Sequence, residues 1–561
     1  MSRIPALVHG AWLGASLPAY VRFSRALHAP ERAQAAVLQR IVQRGKHSGL
    51  GRLYGLERVD SAVEFRARVP ETRYEDYQAH IEAIRRGEAR VLTTEPVERL
   101  VPTSGSTAAR KLIPYTRGLR REMSQALGAW IGDLFSRRPA LIGGPAYWSV
   151  SPAMDVEEDA AVPIGFDSDA AYLGRALEPL VTQVLVAPDV LRHARPLASF
   201  RYATLRLLLG CADLRLISVW HPSFFSLLWE QRGRWFERLV RDVHEGTLQP
   251  EEPLPECVSA GLARRLRADR ERARELERLG PEARPRTVWP RLELLSAWGD
   301  AAAARPLAAL ERELGGVEVQ RKGLLSTEAF VSIPFGGRYP LAVTAHFLEL
   351  RDDAGRLVLV HEAEPEGEYE IVVTTSGGLY RYRTGDRVRV EGFLGQTPSV
   401  RFLGRGDQVV DQVGEKLHEA FVVTALAHAL NDTLPATGGP GFAMLAPDHD
   451  RAGYTLYVDR APGPDALARL EAALRENPHY AYARDLGQLG ALRLFVIEGN
   501  AHEAYLERRR ALGSTLGDIK PAALSTASDW PAVFRGRLAG ADGDAPGAGP
   551  APDVAGARGT R

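Results

Sequence analysis

The chain has 561 residues, 45% of them hydrophobic and 25% charged, which excludes a fibrous or wholly disordered protein and leaves room for more than one core. Its 71 basic and 70 acidic side chains nearly cancel, so no field of one sign argues for nucleic acid or an anionic membrane as the main partner. Cys211 and Cys257 are the only cysteines and stand in no CxxC or Cys/His cluster, which excludes a disulfide framework or structural zinc and fits a reducing, cytoplasmic compartment.

In chain order, the apolar-rich stretch Leu7 to Val21 is broken by His9 and Pro18 and followed by Arg22, and no small-residue cleavage site follows it. It reads as a packed helix, with membrane-surface contact as the alternative, and no uninterrupted apolar run is long enough to span a bilayer. Helical spacing recurs from Pro30 to Val42 and from Tyr74 to Arg86, while Val91 to Thr94 and Leu100-Val101 look like strand. Arg117 to Phe135 carries Leu119, Met123, Leu127, Trp130, Ile131 and Leu134 at amphipathic-helix spacing. Further on, Val181 to Ala187 and Leu214 to Trp220 read as strands, and Phe200 to Leu209 and Pro222 to Arg232 as helices, the alternation of a layered α/β domain. Leu262 to Leu279, with seven arginines and four acids, reads as one solvated helix laced with charge pairs. Val317 to Gln320, Leu341 to Val343, Leu357 to Val360 and Glu370 to Thr374 suggest antiparallel sheet.

Beyond Gly404 the pattern becomes helix (Glu419 to Leu430), strand (Gly453 to Val458), helix (Pro464 to Arg475), strand (Leu492 to Phe495) and helix (Ala501 to Leu512). The last 22 residues, Gly540 to Arg561, are dominated by Gly, Ala, Pro and Asp, with one Val and no larger hydrophobe, and are expected to be disordered. There is no fixed-period repeat.

Three stretches carry chemistry. Thr103-Ser104-Gly105-Ser106-Thr107-Ala108-Ala109-Arg110-Lys111 offers hydroxyls, exposed N–H groups and a lysine charge, which a polyphosphate requires, although it is no Walker loop and a plain polar turn has the same composition. Gly323-Leu324-Leu325-Ser326-Thr327-Glu328 places a carboxylate after two hydroxyls; Glu328 suits Mg2+, a hard cation commonly shared between one or two carboxylates and substrate phosphates, and a surface turn is the competing reading. In Gly378 to Asp386, Asp386 can accept from both hydroxyls of a ribose, and Arg405, in Phe402 to Asp407, can donate to the same sugar or to the α-phosphate.

As an ordered series, these stretches resemble the acyl-adenylate-forming superfamily of firefly luciferase and acyl-CoA ligases. Within it the chain is most similar to the Gretchen Hagen, auxin-responsive family of acyl-acid amido synthetases, in a bacterial-type form. The strings that carry the resemblance are TSGSTAARKLIPYT from Thr103, VWHPSFFSLLW from Val219, GLLSTEAF from Gly323, YEIVVTTSGGLYRYRTGDRVRVEGF from Tyr369, RFLGRGDQVVDQVGEKLHE from Arg401, NPHYAYAR from Asn477 and LGSTLGDIKP from Leu512.

The resemblance implies an α/β fold: a large N-terminal adenylation domain (1–404) of layered helices and sheets with a β-rich subdomain, and a small mobile C-terminal α/β domain (405–535) that pivots near Gly404 to Asp407. Residues 536–561 would form the disordered tail. It also implies a monomeric ATP- and Mg2+-dependent ligase that activates a small carboxylic acid as an acyl-adenylate and passes it to an amino acid or other amine, releasing pyrophosphate and AMP.

Carried over by motif, Thr103, Ser104, Gly105, Ser106, Thr107, Lys111, Ser326, Thr327, Glu328, Asp386 and Arg405 would bind ATP, with Glu328 on the metal. Lys520 would be the catalytic lysine, its charge between the incoming carboxylate and the α-phosphate. A thiol acceptor, coenzyme A or a carrier, is the alternative within the superfamily, and a nucleotide-binding protein without turnover the alternative outside it. Two departures stand out. Ala108 or Ala109 replaces a usual glycine, and Leu324 or Leu325 a common tyrosine. The pocket walls for the acid are expected from the helices after the first loop and from Trp220 to Trp229.

Overall fold

The computed structural model describes residues 4–103, 111–150, 161–165, 178–406, 409–413, 415–430, 441–448, 451–485, 487–512, 519 and 521–539. Ser104 to Thr107, Ala108, Ala109, Lys520 and the tail Gly540 to Arg561 lie outside the described residues.

The helix Ile4–Ala26 buries Val8, Trp12 and Phe23 and lies against the helix Arg117–Arg137. Glycine permits that approach, since a Cβ on Gly132 would stand 2.6 Å from the Cβ of Tyr20. Leu7, Leu17 and Val21 remain exposed on the outer face, and no helix among the described residues is long and apolar enough to cross a membrane.

Next comes an antiparallel hairpin, Val97–Pro102 with Leu112–Thr116. The first candidate loop therefore joins two strands; the helix Arg117–Arg137 begins only after the second of them, capped by Thr116, whose hydroxyl accepts from the N–H of Leu119 at 3.1 Å. Val91 to Thr94 is not strand. Its neighbourhood gives its backbone groups to the preceding helical region instead, the carbonyls of Arg90 and Val91 accepting from Gly49 and Leu50 and the N–H of Thr94 donating to Arg44.

Four parallel strands, Ala146–Trp148, Leu216–Ser218, Leu294–Ala297 and Glu318–Arg321, form one sheet in that order. The Val317 segment expected in antiparallel sheet is thus its parallel edge, reached through the helix Ala304–Leu314, as a parallel pairing requires a crossover. Val181 to Ala187 supplies a single bridge, Leu185 to Ala146, rather than a strand. Leu262 to Leu279 divides into Glu256–Ala263 and Arg270–Leu279, because Asp269 caps the second helix by accepting from Arg272 N–H.

A five-stranded antiparallel sheet follows, in the order Thr397–Arg405, Tyr382–Leu394, Glu368–Thr374, Phe347–Arg351, Leu357–Leu359. Leu341 to Val343 joins it only through bridges of its neighbourhood. The turn into Tyr382–Leu394 holds Arg381 at a left-handed φ of 45°, a conformation that costs a non-glycine residue free energy. A buried bidentate pair offsets that cost: Arg381 donates to both oxygens of Glu349, at 2.9 and 3.1 Å, and to the carbonyl of Val69 at 2.7 Å. Burial raises the pKa of Glu349, against the pull of Arg381 and Arg66.

The C-terminal region has its own mixed sheet, Ala443–Asp448, Gly453–Val458, Arg493–Ile497 and Gly536–Leu538, covered by Glu419–Leu430, Ala466–Leu474 and Ala501–Ala511. The last strand corrects the expected tail boundary at 536. Residues Gly536–Leu538 pair with Arg493–Ile497, and a Cβ at Gly536 would meet Val496 O at 2.2 Å, so the glycine that looked like tail composition is what lets the edge strand close. This region touches the rest of the chain through Leu227 and through Arg201, which pairs with Glu503 at 2.6 Å.

Candidate functional site

The hairpin closes its loop at the base: Thr103 N–H donates to the carbonyl of Lys111 at 2.8 Å. The next N–H, of Leu112, donates to the phenol oxygen of Tyr74 at 2.6 Å, and the ammonium of Lys111 stands 5.7 Å from the centre of the same ring. Burial raises the pKa of the Tyr74 phenol. Thr103 and Lys111 thus frame the mouth of a loop whose remaining candidates are Ser104, Gly105, Ser106 and Thr107.

The second stretch forms a tight turn. Ser326 N–H donates to the carbonyl of Ala329 at 3.0 Å, and the Ser326 hydroxyl bonds both to that carbonyl and to Ala329 N–H. Its hydroxyl therefore serves the turn itself. Glu328 sits at the turn's apex, 7% exposed, and among the described residues it has no hydrogen-bond or ion-pair partner. A partnerless carboxylate at a turn's apex is an oxygen donor of the kind that a divalent cation shared with phosphate oxygens takes. Glu328 beside the Thr327 hydroxyl is an all-oxygen donor pair, which suits a hard cation such as Mg2+ that takes its other ligands from phosphate and water. The turn lies against the hairpin, since Tyr115, four residues after Lys111, donates from its hydroxyl to the carbonyl of Thr327 at 2.9 Å.

Asp386 and Arg405 face each other directly across the two antiparallel strands Tyr382–Leu394 and Thr397–Arg405. Asp386 is 7% exposed; its N–H donates to the Thr384 hydroxyl at 3.1 Å, and Arg405 donates to the carbonyl of Thr384 at 3.1 Å. Segment 72–74 joins this pair to the hairpin: Thr72 N–H donates to Arg381 O, Arg383 N–H donates to Thr72 O, and two residues on is the Tyr74 that holds Leu112. The segments that carry Lys111, Thr327, Glu328, Asp386 and Arg405 are therefore tied together by hydrogen bonds of their neighbours, although Arg405 stands 294 positions beyond Lys111.

The carboxyl edge of the parallel sheet adds side chains that motif reading misses. Lys322, just past the last strand, is buried, donates to the Ser218 hydroxyl at 2.7 Å, and stands 5.0 Å from the Trp130 ring and 5.2 Å from the Trp220 ring. Trp130 donates to Gln320 at 3.0 Å, Trp298 packs 5.2 Å from Trp220, and the buried Ser296 hydroxyl has no hydrogen-bond partner among the described residues. In open α/β sheets ligands bind at this edge. Trp220 lies at it. Trp229 does not: it is fully buried between Phe225 and Trp289 with Arg232 over its ring at 4.1 Å, a core position. Leu324 and Leu325 are buried in the main core.

Comparison with known proteins matches three family models in succession along the chain. The model of the GH3 family N-terminal domain matches residues 19–319, that of the GH3 family central domain residues 339–405, and that of the GH3 family C-terminal domain residues 422–529. An indole-3-acetic acid-amido synthetase GH3.2 of Arabidopsis thaliana is 24% identical over 435 residues, covering 71% of this chain and 78% of that protein. A probable indole-3-acetic acid-amido synthetase GH3.2 of Oryza sativa subsp. japonica is 25% identical over 538 residues, 87% of each chain. Among solved structures, a GH3.15 acyl acid amido synthetase superposes with a TM-score of 0.78 at 19% identity, over 91% of this chain and 94% of that one, and establishes the shared fold.

Proposed function

The chain belongs to the GH3 family, and from that premise we propose that it is an ATP-dependent acid–amino acid ligase working through an acyl-adenylate. In the first step a carboxylate oxygen of the acid attacks the α-phosphorus of ATP; an O–P bond forms, the bond to the bridging oxygen breaks, and pyrophosphate leaves. In the second, an amine attacks the acyl carbon; the C–N bond forms, the amine loses a proton, and AMP leaves with the oxygen the acid contributed. A carboxylate is a poor electrophile, whereas its mixed anhydride with AMP carries a stable leaving group, so the protein's task is positioning and charge neutralisation.

In this reading Thr103, Ser104, Gly105, Ser106, Thr107 and Lys111 hold the β- and γ-phosphates. Thr327 and Glu328, presented by the Ser326 turn, face the phosphates, with Glu328 as the protein ligand of Mg2+. Bound there, Mg2+ would neutralise phosphate charge. Asp386 accepts from the ribose hydroxyls and Arg405, opposite it, donates to the nucleotide. Lys520 arrives from the C-terminal unit, which we propose turns about Gly404, where φ is 140° one residue before the strand ends. The acid lies between the Glu328 turn and the tryptophan-lined edge. The single observation that carries the reading is the carboxylate of Glu328, which lacks a partner among the described residues and stands on a turn held against the hairpin by the Tyr115–Thr327 hydrogen bond.

The test is incubation with ATP, Mg2+ and a panel of carboxylic acids, offering amino acids, coenzyme A or hydroxylamine in turn, with products read by mass spectrometry. An amino-acid amide with AMP is the expected product; a thioester formed in preference to any amide overturns the choice of acceptor.

A further inference from the structure

Outside the assigned site stand the exposed apolar stripe of the first helix, the Arg201–Glu503 pair, and a buried polar network on the far side of the Glu328 turn. The network reaches the site directly. Glu122, on the helix after the hairpin, and His346, just before the strand Phe347–Arg351, are both essentially inaccessible, 1% and 0% exposed. Glu122 Oε2 accepts from Ser376 N–H at 3.0 Å and stands 3.1 Å from His346 Nδ1, while its other oxygen accepts from the Ser376 hydroxyl. Arg40 approaches the same carboxylate at 3.9 Å.

The far ring nitrogen of His346, Nε2, accepts from the backbone N–H of Phe330 at 3.2 Å. Since a backbone N–H can only donate, Nε2 carries no proton, and Nδ1 carries the one donated to Glu122. Glu122 thereby sets the tautomer. Phe330 is two residues after Glu328, and the Thr327 carbonyl, one residue before it, accepts from Tyr115. The turn is gripped on both sides of the carboxylate.

We propose that Tyr115 and His346, the latter oriented by Glu122, are positioning residues that clamp the Ser326–Ala329 turn so that Glu328 meets the metal–phosphate complex rather than the free nucleotide. The inference rests on the nucleotide site of the proposed function. A side chain that held the turn only for stability would weaken binding of ATP with and without metal alike; the clamp, which also presents Thr327 to the phosphates, acts most on the metal-bearing carboxylate.

The test measures binding of ATP to the full-length protein by calorimetry, once with Mg2+ and once with a chelator. His346→Leu is expected to weaken MgATP binding about tenfold and metal-free ATP less than about twofold. His346→Gln, whose amide oxygen can take the Phe330 N–H, is expected to recover affinity to within about threefold of the unaltered protein. Tyr115→Phe removes one hydroxyl without a cavity and gives an independent reading if His346→Leu does not fold; a loss of about threefold confined to MgATP is expected. Unchanged MgATP affinity in Tyr115→Phe and His346→Leu, equal losses with and without metal, or no recovery in His346→Gln would overturn the clamp. Absence of any ATP binding by the unaltered protein would overturn the nucleotide site itself, and the clamp with it.

Discussion

Replacing Lys520 with alanine is expected to lower acid-dependent exchange of pyrophosphate into ATP by about 100- to 1,000-fold, the range for removing one preorganised electrostatic donor from a transition state. The reasoning starts from charge. An anionic oxygen must approach a phosphorus already surrounded by anionic oxygens, and a cation between them is worth most when the two are closest. Binding of ATP alone involves no such approach, so MgATP affinity should change by no more than about threefold, separating a transition-state role from uniform binding. Lys520 comes to this role by its place in the Gly517-Asp518-Ile519-Lys520-Pro521 string. Exchange undiminished by the substitution would remove that assignment.

Glu328→Gln should have the second largest effect. The amide keeps the shape of the turn's apex and removes the charge, so the exchange rate should fall about 100-fold, as expected when a hard-cation ligand is neutralised. The Mg2+ concentration for half-maximal exchange should rise about tenfold or more. Thermal stability should hold, because the carboxylate has no partner among the described residues for the substitution to break. A glutamine variant with unaltered Mg2+ dependence would place the metal elsewhere.

Legibility in the sequence followed the range of the forces involved. Glu419–Leu430 and Gly453–Val458 have in the structure the bounds their patterns predict, because continuous apolar period decides them locally. Val91 to Thr94 has strand composition, yet the first turn of the helix Gly49–Leu53 takes the carbonyls before a neighbouring strand can. Val317 to Gln320 has strand character in either pairing; only the crossover helix makes it parallel. Gly536–Leu538 is three residues of turn-like composition, and the pairing that makes it strand comes from Arg493–Ile497, some forty positions earlier in the chain.

The site divides in the same way. Thr103, Lys111, Thr327, Glu328, Asp386 and Arg405 stand in short strings of hydroxyl, charge and glycine, and such strings are visible one at a time. The structure joins them through Tyr74, Tyr115 and Thr72, none of which has a local signature. Glu122 and His346 lie 224 positions apart and meet only in the fold, so no spacing rule finds them. Lys322 offered a faint signal, a lysine closing a strand just before the Ser326 turn, but its burial between two tryptophans is a tertiary fact.

The central claim is that the acid's own oxygen becomes bonded to the α-phosphorus of ATP. Supplying an acid that supports turnover with both carboxylate oxygens labelled as oxygen-18, together with ATP and an amino acid, and weighing the nucleotide product tests it most directly. One labelled oxygen in AMP is the result the account predicts, since the amine cleaves the acyl carbon–oxygen bond and leaves that oxygen on phosphorus. Label in inorganic phosphate with ADP as the nucleotide product, or AMP without label, would contradict it.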